Sequence, residues 1–221
     1  MKITAIADLH GHEPRIAPCD LLLIGGDILM GGADAPDQRG ILHEVTGPWL
    51  AEQLMTGVRH VVAVAGNHDF IFQQEPERVP PLPWTYLQDS GVELNGLKIW
   101  GSPWQLPFYD WAFNLEEQDL AEKWALIPDD TDILLTHSPP YGFGDRTREG
   151  HVGSRTLRER VEQIKPRLHV FGHIHVARGV WRNSHTTFVN AALVDARYRL
   201  RHNPFEFQWN DGGLRQLAGL H

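Results

Sequence analysis

Five short apolar runs punctuate the chain, near residues 2–7, 20–24, 60–65, 132–136 and 168–171, and each is apolar at successive positions rather than at alternate ones. Strands buried on both faces read this way, so these runs are expected in a central sheet covered on each side. Between several of them, apolar residues recur at three- and four-residue spacing over 37–55, 114–127 and 154–165, which predicts helices. Acidic residues open the second of these, and the third has Ser154 as an N-cap and Pro166 to close it. Alternating strand and helix make an α/β fold, whose ligand sites gather beyond the carboxyl ends of the strands. The remaining segments form a second, more antiparallel set: "GVELNGLKIWGSP" with a turn at Asn95 and Gly96, "HTTFVNAALVD", and "FEFQWN". Two facing sheets with helices outside accommodate them all. The proline-rich stretch 74–84 is a loop and no linker divides the chain, so a single domain over 1–221 is expected.

Each apolar run breaks into the same kind of polar residue. The clusters are D-x-H at 8–10, G-G-D at 25–27, G-N-H-D at 66–69, T-H at 136–137 and G-H-I-H at 172–175. Turn chemistry accounts for glycine and asparagine at strand ends but not for the repeated histidines. Aspartate, asparagine and neutral histidine are side chains that bind divalent metals. The glycines at 25, 26, 66 and 172 allow sharp turns and close backbone approach.

Composition narrows the class. Across 221 residues the net charge is -8, which argues against a nucleic-acid polymer as partner, because that contact rests on Lys and Arg neutralising phosphates. Bound cations would offset part of this charge. The single Cys19 excludes an internal disulfide framework and a cysteine zinc knuckle, pointing to a reducing compartment and a cytoplasmic enzyme. Met1 leads straight into a strand, with no signal peptide read there, and no window reaches the roughly 18 apolar residues of a membrane span. Nothing in the pattern sets an oligomeric state. G-x-S-x-G and H-E-x-x-H are missing, and no arginine stands six residues after Cys19, as a cysteine phosphatase requires.

In order and composition the five clusters resemble the calcineurin-like metallophosphoesterase superfamily, whose pattern is D-x-H, G-D, G-N-H-[DE], H and G-H-x-H. The resemblance implies a four-layer α/β/β/α sandwich with a dinuclear metal site. By position, Asp8, His10 and His175 fall to one divalent ion, Asn67, His137 and His173 to the other, and Asp27 bridges them. Mn, Fe, Zn, Co and Ni all suit such ligands. It further implies hydrolysis of a phosphoester by metal-bound hydroxide, with His68 protonating the leaving oxygen and Asp69 orienting the His68 ring.

A closer resemblance, to the class III phosphodiesterase-like branch of metallophosphoesterase-domain-containing proteins, is carried by "GSPWQLPFYDWAFN" (101–114), "THSPPYGFGD" (136–145), "KPRLHVFGHIH" (165–175) and "TTFVNAA" (186–192). It implies a small phosphodiester as substrate, cyclic nucleotides included. Some relatives replace the first histidine of G-H-x-H by glycine, whereas His173 is present here. Protein Ser/Thr phosphatases of the superfamily carry V-D-R-G and an arginine before G-N-H-E. This chain has "ILMGG" after Asp27 and Ala65 before Gly66, and lacking that clamp it suits a singly charged diester. A phosphomonoesterase and a non-catalytic metal-binding scaffold are the alternatives. Arg146 and His151 are candidate substrate contacts. Trp84, Trp104, Phe108, Tyr109, Trp111 and Tyr141 either stack on a nucleobase or pack between sheets and subunits. His12, His43, His60, His169, His185, His202 and His221 are read as structural or solvated.

Overall fold

The computed structural model describes residues 1–31, 37–210 and 213–218. In chain order the strands are β1 (Lys2–Ile6), β2 (Leu21–Gly25), β3 (Val61–Val64), β4 (Thr85–Tyr86), β5 (Ser90–Leu94), β6 (Leu97–Ser102), β7 (Ile133–Thr136), β8 (Arg146–Thr147), β9 (Gly150–His151), β10 (Leu168–Phe171), β11 (Gly179–Arg182), β12 (Thr187–Asn190), β13 (Phe205–Asn210) and β14 (Gly213–Ala218). The helices are α1 (Gln38–Ile41), α2 (Gly47–Met55), α3 (Phe70–Gln74), α4 (Glu117–Ala125) and α5 (Arg155–Ile164).

Two six-stranded mixed sheets face each other, ordered β14-β13-β1-β2-β3-β4 and β11-β12-β10-β7-β6-β5. Period-two alternation builds the layers. From the first sheet Ile3, Ala5, Leu21, Leu23, Val62 and Val64 meet Ile133, Leu135, Leu168 and Val170 from the second in one core between the sheets. The opposite faces of β1, β2 and β3 present Ile6, Leu22, Ile24, Val61 and Ala63 to α2 and α3, where Trp49, Leu50, Ile71 and Phe72 pack. On the far side, Leu134, Phe171 and Phe188 pack on Leu120 and Trp124 of α4 and Leu157 and Val161 of α5. Helix, sheet, sheet and helix make the expected four layers.

The expectation of one central sheet for the five apolar runs is corrected. Three lie in the first sheet and two, β7 and β10, in the second. Every central strand of a four-layer sandwich is buried on both faces, so the apolar run reports burial without saying which sheet holds it.

The helix predicted over 37–55 is divided. A π-helical turn, Leu42–Thr46, separates α1 from α2, and Gly47 N–H reaches back to Leu42 O. Pro48 cannot donate to the helical ladder, and the wider turn just before it accommodates that loss. By contrast α5 obeys its signals: Ser154 Oγ accepts from Leu157 N–H at 3.0 Å, and Lys165 ends the helix in a left-handed conformation. Asn95 and Gly96, both at positive φ, close the β5–β6 hairpin with Leu94 opposite Leu97. Among the described residues no helix is long and apolar enough to cross a membrane.

Candidate metal centre and cleft

The five polar clusters converge where β1, β2, β3, β7 and β10 end. Asp8, His10, Asp27 and His173 all hold positive φ, at 55°, 46°, 50° and 67°. Such backbone is rare outside glycine and costs about 1–3 kcal/mol per residue. It turns the chain sharply at the strand end, so side chains that would otherwise follow the strand fold back over the sheet edge. Close approach completes the packing: a Cβ on Gly66 would lie 2.3 Å from Asp27 Oδ1, and one on Gly172 would lie 2.3 Å from Asp8 Oδ2.

One set of ligand atoms comes from Asp8, His10, Asp27 and His175, all within 4.8 Å of one another. His10 Nε2 lies 3.2 Å from His175 Nε2, and His175 Nε2 lies 3.4 Å from Asp8 Oδ1. A second set surrounds Asn67, whose Oδ1 is 2.9 Å from His137 Nε2 and 2.7 Å from His173 Nδ1. Asp27 belongs to both. Its Oδ1 accepts from His68 N–H at 2.8 Å, which leaves Oδ2 facing His137 Nε2 at 3.4 Å and His10 Nε2 at 3.7 Å.

The donor set fits divalent cations. Ligands about 2.0–2.2 Å from an ion lie within roughly 4.4 Å of each other, close to the observed spread. Burial pushes the Asp8 and Asp27 carboxyls up, but His175 beside Asp8, and His137, His10 and His68 beside Asp27, hold both below the usual carboxylate range. Burial alone would lower His137, yet Asp27 and Asp8 draw it up to about 9. Two buried carboxylates therefore demand positive charge here, which a metal ion supplies as a proton does. Burial lowers His10 to about 4 and His173 to about 3, and a neutral ring is the liganding form. The buried Nδ2 of Asn67 has no hydrogen-bond partner among the described residues, as suits a side chain oriented by its oxygen.

The chain matches the sequence profile of the calcineurin-like phosphoesterases over residues 1–177. It belongs to that family. Metallophosphoesterase domain-containing protein 1 of Homo sapiens is 38% identical over 229 residues, which covers 90% of this chain and 68% of that protein. UPF0046 protein T07D4.2 of Caenorhabditis elegans is 42% identical over 244 residues, covering 94% of this chain and 59% of that protein. One solved structure, 18% identical, superposes with a TM-score of 0.64 over 98% of this chain and 99% of its own. The sulfate thiohydrolase SoxB of Thermus thermophilus, 15% identical, gives 0.52 over 97% of this chain and 55% of its own. These two likenesses concern the fold. Membership brings metal-dependent phosphoester hydrolysis as the family chemistry, and the converging ligands provide a place for it.

Above the ligands this phosphoesterase has an open cleft of about 230 Å³, lined among others by Asp27, Asn67, His68, His173 and His175, by Phe108, Trp111 and Tyr198, and by Thr147. His68 stands edge-on to Trp111, with ring centroids 4.0 Å apart, and its Nε2 is 4.0 Å from Asp27 Oδ2. Burial lowers its imidazole, with Asp27 pulling the other way.

Several expectations need correction. Asp69 does not orient the His68 ring. Its carboxylate accepts from the backbone N–H groups of Ile28, Leu29 and Gly66, at 3.1, 2.8 and 2.8 Å, and so clamps the turn that carries Asp27. Burial and the nearby Asp27 push this carboxyl up to about 7, against the pull of the three amides. The His68 Nδ1 instead lies 3.2 Å from Gly31 O.

Arg146 and His151 do not line the cleft, although Thr147 between them does. Arg146 is exposed, and His151 Nδ1 is 2.6 Å from the buried Asp145. Of the six aromatics, Phe108 and Trp111 reach the cleft. Tyr109 is 76% exposed beside them, Trp84 packs on Phe72 and Tyr86, Trp104 donates to Asp89, and Tyr141 lies under Arg155. His12, read as solvated, has its Nε2 2.9 Å from Tyr198 O. Tyr198 itself carries no motif signal, being one aromatic in the polar stretch "DARYRL". His221 lies outside the described residues.

His169 is structural, fully buried among Phe171 and Phe188 with Nε2 2.9 Å from Thr136 Oγ1. Burial lowers it to about 3 from an ordinary 6.5. As pH falls below 6.5 the unfolded chain takes up a proton that the native state refuses, so stability declines between 6.5 and 3. Between pH 7 and pH 5 this one group accounts for about 2 kcal/mol. Urea unfolding at both pH values should show native protein losing about that much more than His169→Gln. Equal losses in the two proteins would contradict it.

Proposed function

We propose that the chain is a dinuclear metal-dependent phosphodiesterase acting on small phosphodiesters, cyclic nucleotides among them. Asp8, His10 and His175 would hold one divalent ion, Asn67, His137 and His173 the other, with Asp27 shared. When bound, such a pair polarises a phosphoryl group and lowers the pKa of water at the site. His68, poised beside Asp27 but in neither set, is placed to protonate the departing oxygen. Phe108 and Trp111 offer an apolar wall for the organic group.

The observation that carries the diester reading is the cleft lining. No lysine or arginine stands among its described residues. A dianionic monoester brings a third charged oxygen that needs a cation, and leaving it unpaired near a partly desolvated site is unfavourable. A diester places an esterified oxygen there instead. After correction for uncatalysed hydrolysis, kcat/KM for bis(p-nitrophenyl) phosphate is expected to exceed that for p-nitrophenyl phosphate by about tenfold or more in the same metal and buffer. At least one nucleotide phosphodiester should also be turned over. A corrected preference for the monoester would sink the diester reading and favour a phosphomonoesterase on the same ligands.

A further inference from the structure

Tyr198 occupies an unusual place in the cleft. Its ring stands edge-on to three site imidazoles, with centroids 4.7 Å from His10, 5.7 Å from His68 and 5.5 Å from His175. The residue holds a left-handed backbone, φ 58°, which a bulky side chain adopts only where surrounding contacts enforce it. Those contacts are present. Tyr198 N–H donates to Asp195 O at 2.9 Å, and Tyr198 O lies 2.9 Å from His12 Nε2. Asp195 in turn accepts from the backbone of Arg197 and Arg199 and pairs with the Arg199 guanidinium at 2.6 Å, while its carbonyl lies 3.2 Å from His175 Nδ1. The Tyr198 turn is thus tied to His175 and, through His12, to the loop after β1.

The phenol is free to act. Tyr198 lines the cleft, its Oη has no hydrogen-bond partner among the described residues, and a phenol is a hydrogen-bond donor at neutral pH. The other hydroxyl lining the cleft, Thr147 Oγ1, is engaged by Gly150 O at 3.2 Å and Glu149 N–H at 3.1 Å.

We propose that Tyr198 is a substrate-binding residue, its phenol donating a hydrogen bond to a phosphoryl oxygen in a cleft whose described lining holds no lysine or arginine. This rests on the phosphoesterase reading of the site. A neutral donor adds directionality without positive charge, which suits a monoanion better than a dianion.

The test compares native protein, Tyr198→Phe and Tyr198→Ala, each reconstituted with metal. The readouts are metal content, Tm, affinity for inorganic phosphate by calorimetry, and turnover of bis(p-nitrophenyl) phosphate. The Phe variant keeps the ring and should keep metal content and Tm. It should bind phosphate about five- to tenfold more weakly and lose about 10- to 100-fold in kcat/KM. Phosphate affinity equal to native in the Phe variant, with loss only in the Ala variant, overturns the proposal, because the ring and not the hydroxyl then matters. Should the native protein hydrolyse no ester while the Phe variant still binds phosphate more weakly, the phosphoesterase reading falls and with it the substrate role, leaving Tyr198 a phosphate-binding residue only.

Discussion

Asp27→Asn is expected to deplete both metal positions and to lower kcat/KM for every phosphoester by about 10³-fold or more. Loss of a residue that merely supports a ligand typically costs about 10- to 100-fold in metal affinity, and Asp27 stands in both ligand sets at once. The substitution is nearly isosteric, so the 2.8 Å bond from His68 N–H to Oδ1 can persist and the turn need not collapse. What changes is charge. Asp27 is fully buried and holds three imidazoles, His137, His10 and His68, in its field, and a neutral amide can neither draw His137 up nor balance two divalent ions. Elemental analysis after dialysis should show both equivalents lost together, with Tm measured alongside to confirm folding. Full occupancy of both positions in the variant would refute the shared role.

The parts of this site that were legible in the sequence are those that sit at strand ends. An apolar run stopped by Asp, Asn or His announces both a buried strand and the point where its last residues emerge, and five such stops carry all seven residues that the resemblance assigns to metal, without knowledge of which sheet holds which strand. Sheet membership was not legible because both sheets are buried on both faces. The role that the resemblance implies for Asp69, orienting the His68 ring, is not met here, because its carboxylate is taken by three backbone amides. The chain turns into α3 at that point, and the two side chains diverge, His68 toward the cleft and Asp69 toward the turn after β2. The contact between His12 and Tyr198 was not legible either. Their pairing spans 186 positions and uses a backbone carbonyl, so no spacing or residue type encodes it. Thr147 lines the cleft without any sequence signal, since a hydroxyl in a hairpin carries less apparent chemistry than the guanidinium beside it at Arg146.

His68 should separate binding from chemistry most sharply. Its ring stands between Trp111, at 4.0 Å, and His10, at 4.6 Å, and it belongs to neither ligand set. His68→Ala should therefore retain both metals, while turnover of esters with alkoxide leaving groups such as ribose oxygens falls by about 10²- to 10⁴-fold, the usual worth of a general acid. A nitrophenolate departs readily without a proton, so the same variant should lose far less on bis(p-nitrophenyl) phosphate. Burial lowers the imidazole and Asp27 raises it. A bound anionic ester adds to the pull of Asp27 and favours the protonated ring when it is needed. Plotting log kcat against leaving-group pKa for a series of phosphodiesters should give a shallow slope for native protein and a steep one for the variant. Parallel lines would remove His68 from proton transfer and leave it only a packing role beneath Trp111.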